Sequence, residues 1–364
     1  MMTPAAVSTS SRCSFAKGAP GFAGRRCLAA ASSSRSRSRL DVRNDNCLIV
    51  NTKGGGHAFI GLHLAKKLMS DGHAVTILND GDADSITKKA PYSEYAGLKS
   101  GGVQVVWGDP ADPSTYPQGN FDVVYDNNGK KLDVCKPLID TYKGKVAHYV
   151  FVSSAGAYEA NSVEPMHVEG DPRKASAGHV GVEEYIKEQG LPYTIFHPLY
   201  IYGPHTAKDC EQWFVDRVIR DRAVPIPTPG IQLTTLTHVD DVASMLATVP
   251  GNDQCIGQEY NICSDRCISF TGIAKATAGA LGKDANVVLY DPSELGLKKG
   301  EGFPFRTVHF FASSEKAKRE LGWKPAHDFM SDVKSLCDAY VTSGRAEKDI
   351  DFSVDDKILD AVNA

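Results

Sequence analysis

A β-branched run, CLIVN (47–51), passes almost directly into GGGHAFIG (54–61) and then into an amphipathic stretch. Few folds accept that order. Glycines after a strand permit a turn too tight for side chains and let the backbone approach a ligand. They also place a helix N-terminus, with its unpaired N–H groups, at the strand end. Ile60, Leu64 and Leu68 then fall on one helical face, and Gly72 is placed to cap its end. A glycine run alone says little; between a strand and a helix it constrains the whole fold.

The pattern repeats without the glycines. AVTIL (74–78), VQVVW (103–107), FDVVYD (121–126), HYVFVSS (148–154) and YTIFH (193–197) read as strands separated by amphipathic segments. That alternation predicts a parallel sheet with crossover helices, an α/β, Rossmann-type doubly wound sheet. From about 205 the chain has more proline and longer loops, which predicts a smaller C-terminal α+β lobe. The expected division is a leader at 1–40, a Rossmann-like core at 47–204, a cap lobe at 205–343 with elements returning to the core, and a charged tail at 344–364.

The leader holds seven basic side chains and no Asp or Glu before Asp41, and it is rich in Ser and Ala. That composition is expected of an organellar transit peptide. The whole chain has 40 basic and 44 acidic groups, a net charge of −4; without the leader the remainder carries 33 and 44, or −11. A body so acidic cannot hold a polyanion through its overall field, so any nucleic-acid contact requires a local basic patch. No stretch approaches the roughly 20 apolar residues of a membrane helix. Of nine cysteines, Cys263 and Cys267 are the closest pair outside the leader, with no neighbouring pair or His to complete a zinc site.

The glycine loop resembles that of the extended short-chain dehydrogenase/reductase superfamily, the NAD-dependent epimerase/dehydratase-like proteins. So do FVSSAGAYE (151–159), FHPLYIYGP (196–204), THVDDVA (237–243), YNICSD (260–265) and KAKRELGWKP (316–325). The departures concern chemistry. Gly55 and Gly61 match the first and third motif glycines, but Ala58 stands at the second, where a methyl obstructs a pyrophosphate. Asn79 ends the second strand where an acid would bind ribose, with Asp80 one place on. The superfamily's Tyr and Lys, four apart, fall on Ala175 and His179, while Ser154 remains. Without the phenol the general acid for hydride chemistry is missing, so NAD(P) binding is expected to be lost or vestigial.

One branch matches this retention and loss: the chain resembles the chloroplast stem-loop-binding proteins, the a-type most closely. The matching segments are TKGGGHAFIG (52–61), GHAVTIL (72–78), VVYDNNGKKLD (123–133), HVEGDPRKASAGHV (167–180), KDCEQWFVDRVIRDRAVPIP (208–227) and DDKILDAV (355–362). The resemblance implies a stromal protein that binds stem-loop mRNA or rRNA. It further implies association with ribosomes, the plastid transcription machinery and a homologous paralogue, and a metal-dependent endoribonuclease activity, with magnesium the expected ion.

The residues offer two places for RNA. Lys208, Trp213, Arg217 and Arg220 belong to one segment, and a helix there would set Trp213, Arg217 and Arg220 on one face, able to grip phosphates and stack a base. A buried cap-lobe helix reads equally from the same spacing. Lys53, Lys130, Lys131, Arg173, Lys174 and His179 are expected around the C-terminal sheet edge, where open parallel sheets bind ligands. For cleavage, Asp126, Asp171, His179 and Ser154, with His57 nearby, are the candidates for holding a metal or moving protons. Two alternatives stand beside this reading: an intact NAD(P)-dependent epimerase or reductase, and a non-catalytic ribosome-associated protein.

Overall fold

Seven strands form the central sheet: β1 (Asn46–Gly54), β2 (Ala74–Asn79), β3 (Gln104–Trp107), β4 (Val123–Gly129), β5 (His148–Val152), β6 (Tyr193–Pro198) and β7 (Gln258–Ile262). Their order is β7-β6-β5-β4-β1-β2-β3 and every pairing is parallel. The computed structural model describes residues 44–54, 57–206, 210–298 and 300–363. The leader, Gly55 and Lys208 lie outside them. Val42–Ala364 make up one compact unit.

The inner strands read as unbroken apolar runs because both faces of the sheet are covered. Cys47 and Ile49 point into the core beneath helix α1 (Ala58–Ser70), whereas Leu48 and Val50 point into the opposite core, beneath α2 (Leu132–Tyr142) and α3 (Gly178–Glu188). Ile60, Leu64 and Leu68 are buried on α1 as their spacing requires, and Gly72 turns the chain at φ +92° just past its end. Gly61 shows why the third motif position tolerates no side chain. A Cβ there would lie 2.4 Å from Asn51 Oδ1, so glycine lets α1 close onto β1.

The sheet order reverses between β1 and β4, and the crevice at their C-terminal ends is the binding place of such sheets. The chain beyond 205 covers that end. It builds an aromatic core from Trp213, Phe214, Phe270, Phe303, Phe305 and Phe329, around α4 (Gln212–Ile219), α6 (Phe270–Ala280) and α7 (Phe329–Thr342). It also returns β7 to the sheet edge and packs α5 (Val239–Leu246) against α1.

Residues 344–363 are not a free tail. They form a short turn at Arg345–Glu347 and helix α8 (Ser353–Asn363), with Asp355 and Ile358 buried. The segment is charged, as its composition predicts, and two buried positions, one apolar and one ion-paired, dock it.

Candidate functional site

At the switch point the strand ends carry amides rather than carboxylates. Asn127 Nδ2 donates to Asn51 Oδ1 (2.7 Å) and to the His57 carbonyl (2.9 Å). Asn51 Nδ2 donates to the Tyr95 hydroxyl (3.3 Å), which donates to Asn79 Oδ1 (3.1 Å). All four side chains are buried. Such a chain is stable under a dry sheet edge because each polar atom has a partner. It also turns Asn79 inward, away from any ribose. Asp80 is engaged by the Thr52 hydroxyl, and Thr52 itself holds a left-handed φ of +83°. Lys53 lies 2.7 Å from Asp109, whose hydrogen bond raises the lysine's pKa.

Beside this network a cleft of about 560 Å³ opens between the sheet edge and the cap lobe. Its cations are Lys130, at the end of β4, and Arg306, from the loop of the cap lobe; His57, His179, Ser153 and Ser154 add polar atoms. No carboxylate is among the described lining residues. Lys130 sits there because α3 begins at Gly178, where a Cβ would lie 2.4 Å from the Lys130 carbonyl oxygen. Arg306 donates to the Gly156 carbonyl (2.6 Å), which also accepts from Lys174 (3.1 Å), and its guanidinium lies 4.2 Å over Phe310. Ser154 accepts from the Gly156 amide (3.0 Å). Burial, with Lys130, His197 and His57 adding to it, pushes His179 down to about 4 despite Glu183, so the imidazole is neutral near pH 7.

Several expected site residues lie elsewhere. Asp126 is fully buried beneath α2, accepting from the Tyr149 hydroxyl (2.8 Å) and the Asn128 amide (3.0 Å); burial pushes its pKa up to about 7. Asp171 caps a turn, accepting from the Val168 amide (3.1 Å) with His167 at 3.4 Å. Neither lines the cleft with His179 and Ser154. Ala175 is exposed in the turn preceding α3, not on the helix. Arg173 belongs to an internal ion cluster: it pairs with Glu183 and with Glu259 (2.7 Å) and contacts His197 (3.0 Å). Lys131 is exposed at the start of α2.

The expected aromatic–basic face of α4 exists but faces inward. Trp213 is buried, the Arg217 guanidinium stacks on it at 3.5 Å, and Arg217 pairs with Asp355 of α8. Arg220 is spent on the Tyr340 hydroxyl and on the carbonyls of Arg345, Ala346 and Lys348. Sequence reasoning missed Arg306. Its signal was GFPFR (302–306), one cation among aromatics in a glycine- and proline-bearing loop.

Two groups could share an ion among the described residues: Glu183, His197 and Glu259, and His238, His327 and Asp332. The first already contains the Arg173 guanidinium. In the second, His238 Nδ1 accepts from the Asp240 amide (3.2 Å), and Asp332 takes bonds from His327 (2.9 Å) and Tyr202 (2.8 Å). Imidazole-rich sets do not suit magnesium, which prefers oxygen ligands and retained waters. The donors expected for that ion do not meet, and no catalytic step is assigned to a metal. Two positions that such a sheet offers a nicotinamide cofactor differ here: an inward amide, Asn79, stands where an acid would meet the ribose, and α3 carries no phenol–lysine pair four residues apart.

Residues 54–263 match the sequence profile of the NAD dependent epimerase/dehydratase family, and the chain belongs to that family. Within it the chain groups with a plant relative. It is 37% identical over 319 residues to the chloroplast stem-loop binding protein of 41 kDa b of Arabidopsis thaliana, covering 84% of this chain and 82% of the relative. Among solved structures, dTDP-glucose 4,6-dehydratase from Bacillus anthracis in complex with NAD superposes with a TM-score of 0.64 at 15% identity. It covers 83% of this chain and 98% of its own. UDP-glucuronic acid 4-epimerase from Bacillus cereus, bound to UDP-glucuronic acid and NAD, gives 0.63 at 17%, over 82% and 99%. These likenesses establish the fold.

Proposed function

We propose that this chain is a chloroplast RNA-binding protein that grips RNA phosphate at the cleft where its relatives' fold carries a dinucleotide. The observation that carries the reading is the cleft lining, with cations and no carboxylate among its described residues, in a chain whose charge after the leader is −11. A local positive surface of that kind supports phosphate contact against an unfavourable overall field. The stem-loop-binding relative supplies the polymer, and the acid-free leader supports import into the stroma. Ribosomes, the transcription machinery and a homologous paralogue are the partners the family resemblance suggests. Endonucleolytic cleavage is part of that resemblance, but Asp126 and Asp171 lie outside the cleft, so binding is the activity we assign to it.

The test is a titration of residues 42–364 with a labelled stem-loop RNA at several salt concentrations. The variant Lys130→Glu is expected to weaken binding about tenfold and to flatten the salt slope by about 1, for the one phosphate contact that this lysine makes. Unchanged affinity would remove the cleft from the reading. Parallel gels with magnesium and with chelator read cleavage directly.

Asp126→Asn separates the buried carboxyl from the cleft. RNA affinity is expected to stay within about twofold. Thermal stability at pH 8 should rise by about 1 kcal/mol or more, because the buried group no longer ionises. A tenfold loss of binding or of chelator-sensitive cleavage would return Asp126 to the site.

A second reading, an NAD(P)-dependent epimerase or reductase, is supported by the retained close packing at Gly61 and by Ser154 in the cleft. A nicotinamide fluorescence titration separates it: saturable binding with no RNA affinity selects the enzyme.

A further inference from the structure

The cleft is shaped for less than a helix. Its cations stand beside an aromatic wall made by Phe59, Tyr200, Phe305 and Phe310. Tyr200 meets Phe305 edge-on with centroids 4.7 Å apart, and Phe310 at 5.6 Å. The Tyr200 hydroxyl accepts from the Arg306 amide (3.0 Å), while the same residue's guanidinium is tied to Gly156 and laid over Phe310. The wall and its cation are therefore fixed before any ligand arrives, so little side-chain ordering remains to oppose binding. An enclosure of about 560 Å³ is in the range of pockets for small molecules. A paired stem offers only backbone and base edges, and its bases are hidden in the stack; an unpaired base exposes a π-face.

Resting on the RNA-binding reading, we infer that the cleft takes a single unpaired nucleotide of RNA, its base against the Tyr200–Phe310 wall and its phosphate between Lys130 and Arg306. The paired stem stays outside the cleft. Recognition is thus directed at loops, bulges or ends, and the base is read by stacking and by the Ser154 hydroxyl rather than by groove contacts.

The test places the fluorescent adenine analogue 2-aminopurine at one loop position or one stem position of the same RNA. Residues 42–364 are added while RNA anisotropy and probe intensity are both followed. The expected result is a change in intensity of about twofold or more for the loop probe and none for the stem probe. Affinity for a blunt duplex of the stem sequence should be at least about tenfold weaker. Adenosine 5′-monophosphate should reverse the loop signal. Arg306→Ala should abolish the loop signal, and Lys130→Ala, at an exposed position, should weaken it severalfold without disturbing the fold.

Rising anisotropy with both probes silent and the duplex bound as tightly would overturn the single-nucleotide inference and leave RNA binding standing. No anisotropy change, with the mononucleotide or NAD still bound by the cleft, would overturn both readings.

Discussion

Asp355→Ala is expected to lower the free energy of unfolding by about 3–5 kcal/mol, because it leaves the Arg217 guanidinium buried without its counter-charge. Arg217 and Asp355 are 5% and 1% exposed. Their contact is two-pronged, with Nη2 to Oδ1 at 2.8 Å and Nε to Oδ2 at 2.7 Å. Burial drives the arginine's pKa down and the carboxyl's up, each against the pull of its partner, so desolvation dominates both ends. An ion pair in that state adds little net stability when whole and costs heavily when halved. The double variant Arg217→Met, Asp355→Leu is accordingly expected to recover all but about 1–2 kcal/mol. Denaturant midpoints for the two single variants and the double variant measure the cycle. Losses under about 1 kcal/mol for the single variants would mean that α8 does not cover α4 in solution. The Trp213, Arg217 and Arg220 face would then be open to RNA after all.

That pair also marks the boundary of what the sequence can convey. The inner strands were legible because burial on both sides leaves only apolar, β-branched residues. The turn into α1 was legible because glycine alone permits the approach at Gly61. The spacing of Trp213, Arg217 and Arg220 correctly put them on one face, but spacing does not say what covers a face. The cover, α8, lies some 135 residues further along a stretch that reads as solvated charge. Asp126 was decidable in principle. Strand side chains alternate, and Asp126 shares parity with Val124, which faces the core under α2, whereas Tyr125 faces the other side. Parity therefore sends Asp126 under α2 and away from the crevice. For Arg306 the signal in GFPFR marks a cation among aromatics but not its place, since only the fold of the cap lobe brings that loop over the sheet edge.

Stability should fall steeply as pH drops from about 6.5 towards 4. Three imidazoles, His148, His179 and His238, are pushed down to about 4, in each case first by burial. His148 is held within 2.6 Å of the Thr194 hydroxyl, and His238 lies stacked on His327 at 3.8 Å. Between the folded value near 4 and the unfolded 6.5, the native state binds fewer protons than the unfolded chain. Stability there rises with pH, is fully present above 6.5, and is lost as pH falls. Each group contributes a slope of up to about 1.4 kcal/mol per pH unit, roughly 4 for the three. Asp126 acts in the opposite sense. Its carboxyl, raised to about 7, keeps a proton that the unfolded chain has released above 3.8, so it favours acid across the same window. The net slope of these four groups is therefore on the order of 3 kcal/mol per unit, or about 7 kcal/mol across the window, a large share of a typical 5–15 kcal/mol. Thermal melts at pH 8, 6 and 5 should show little change over the first interval and a large drop over the second. His148→Gln, which retains a partner for Thr194, should remove about a third of the histidine slope. A melting temperature that stays flat from pH 6.5 to 4.5 would mean these imidazoles are hydrated, and the neutral state assigned to His179 in the cleft would fall with them.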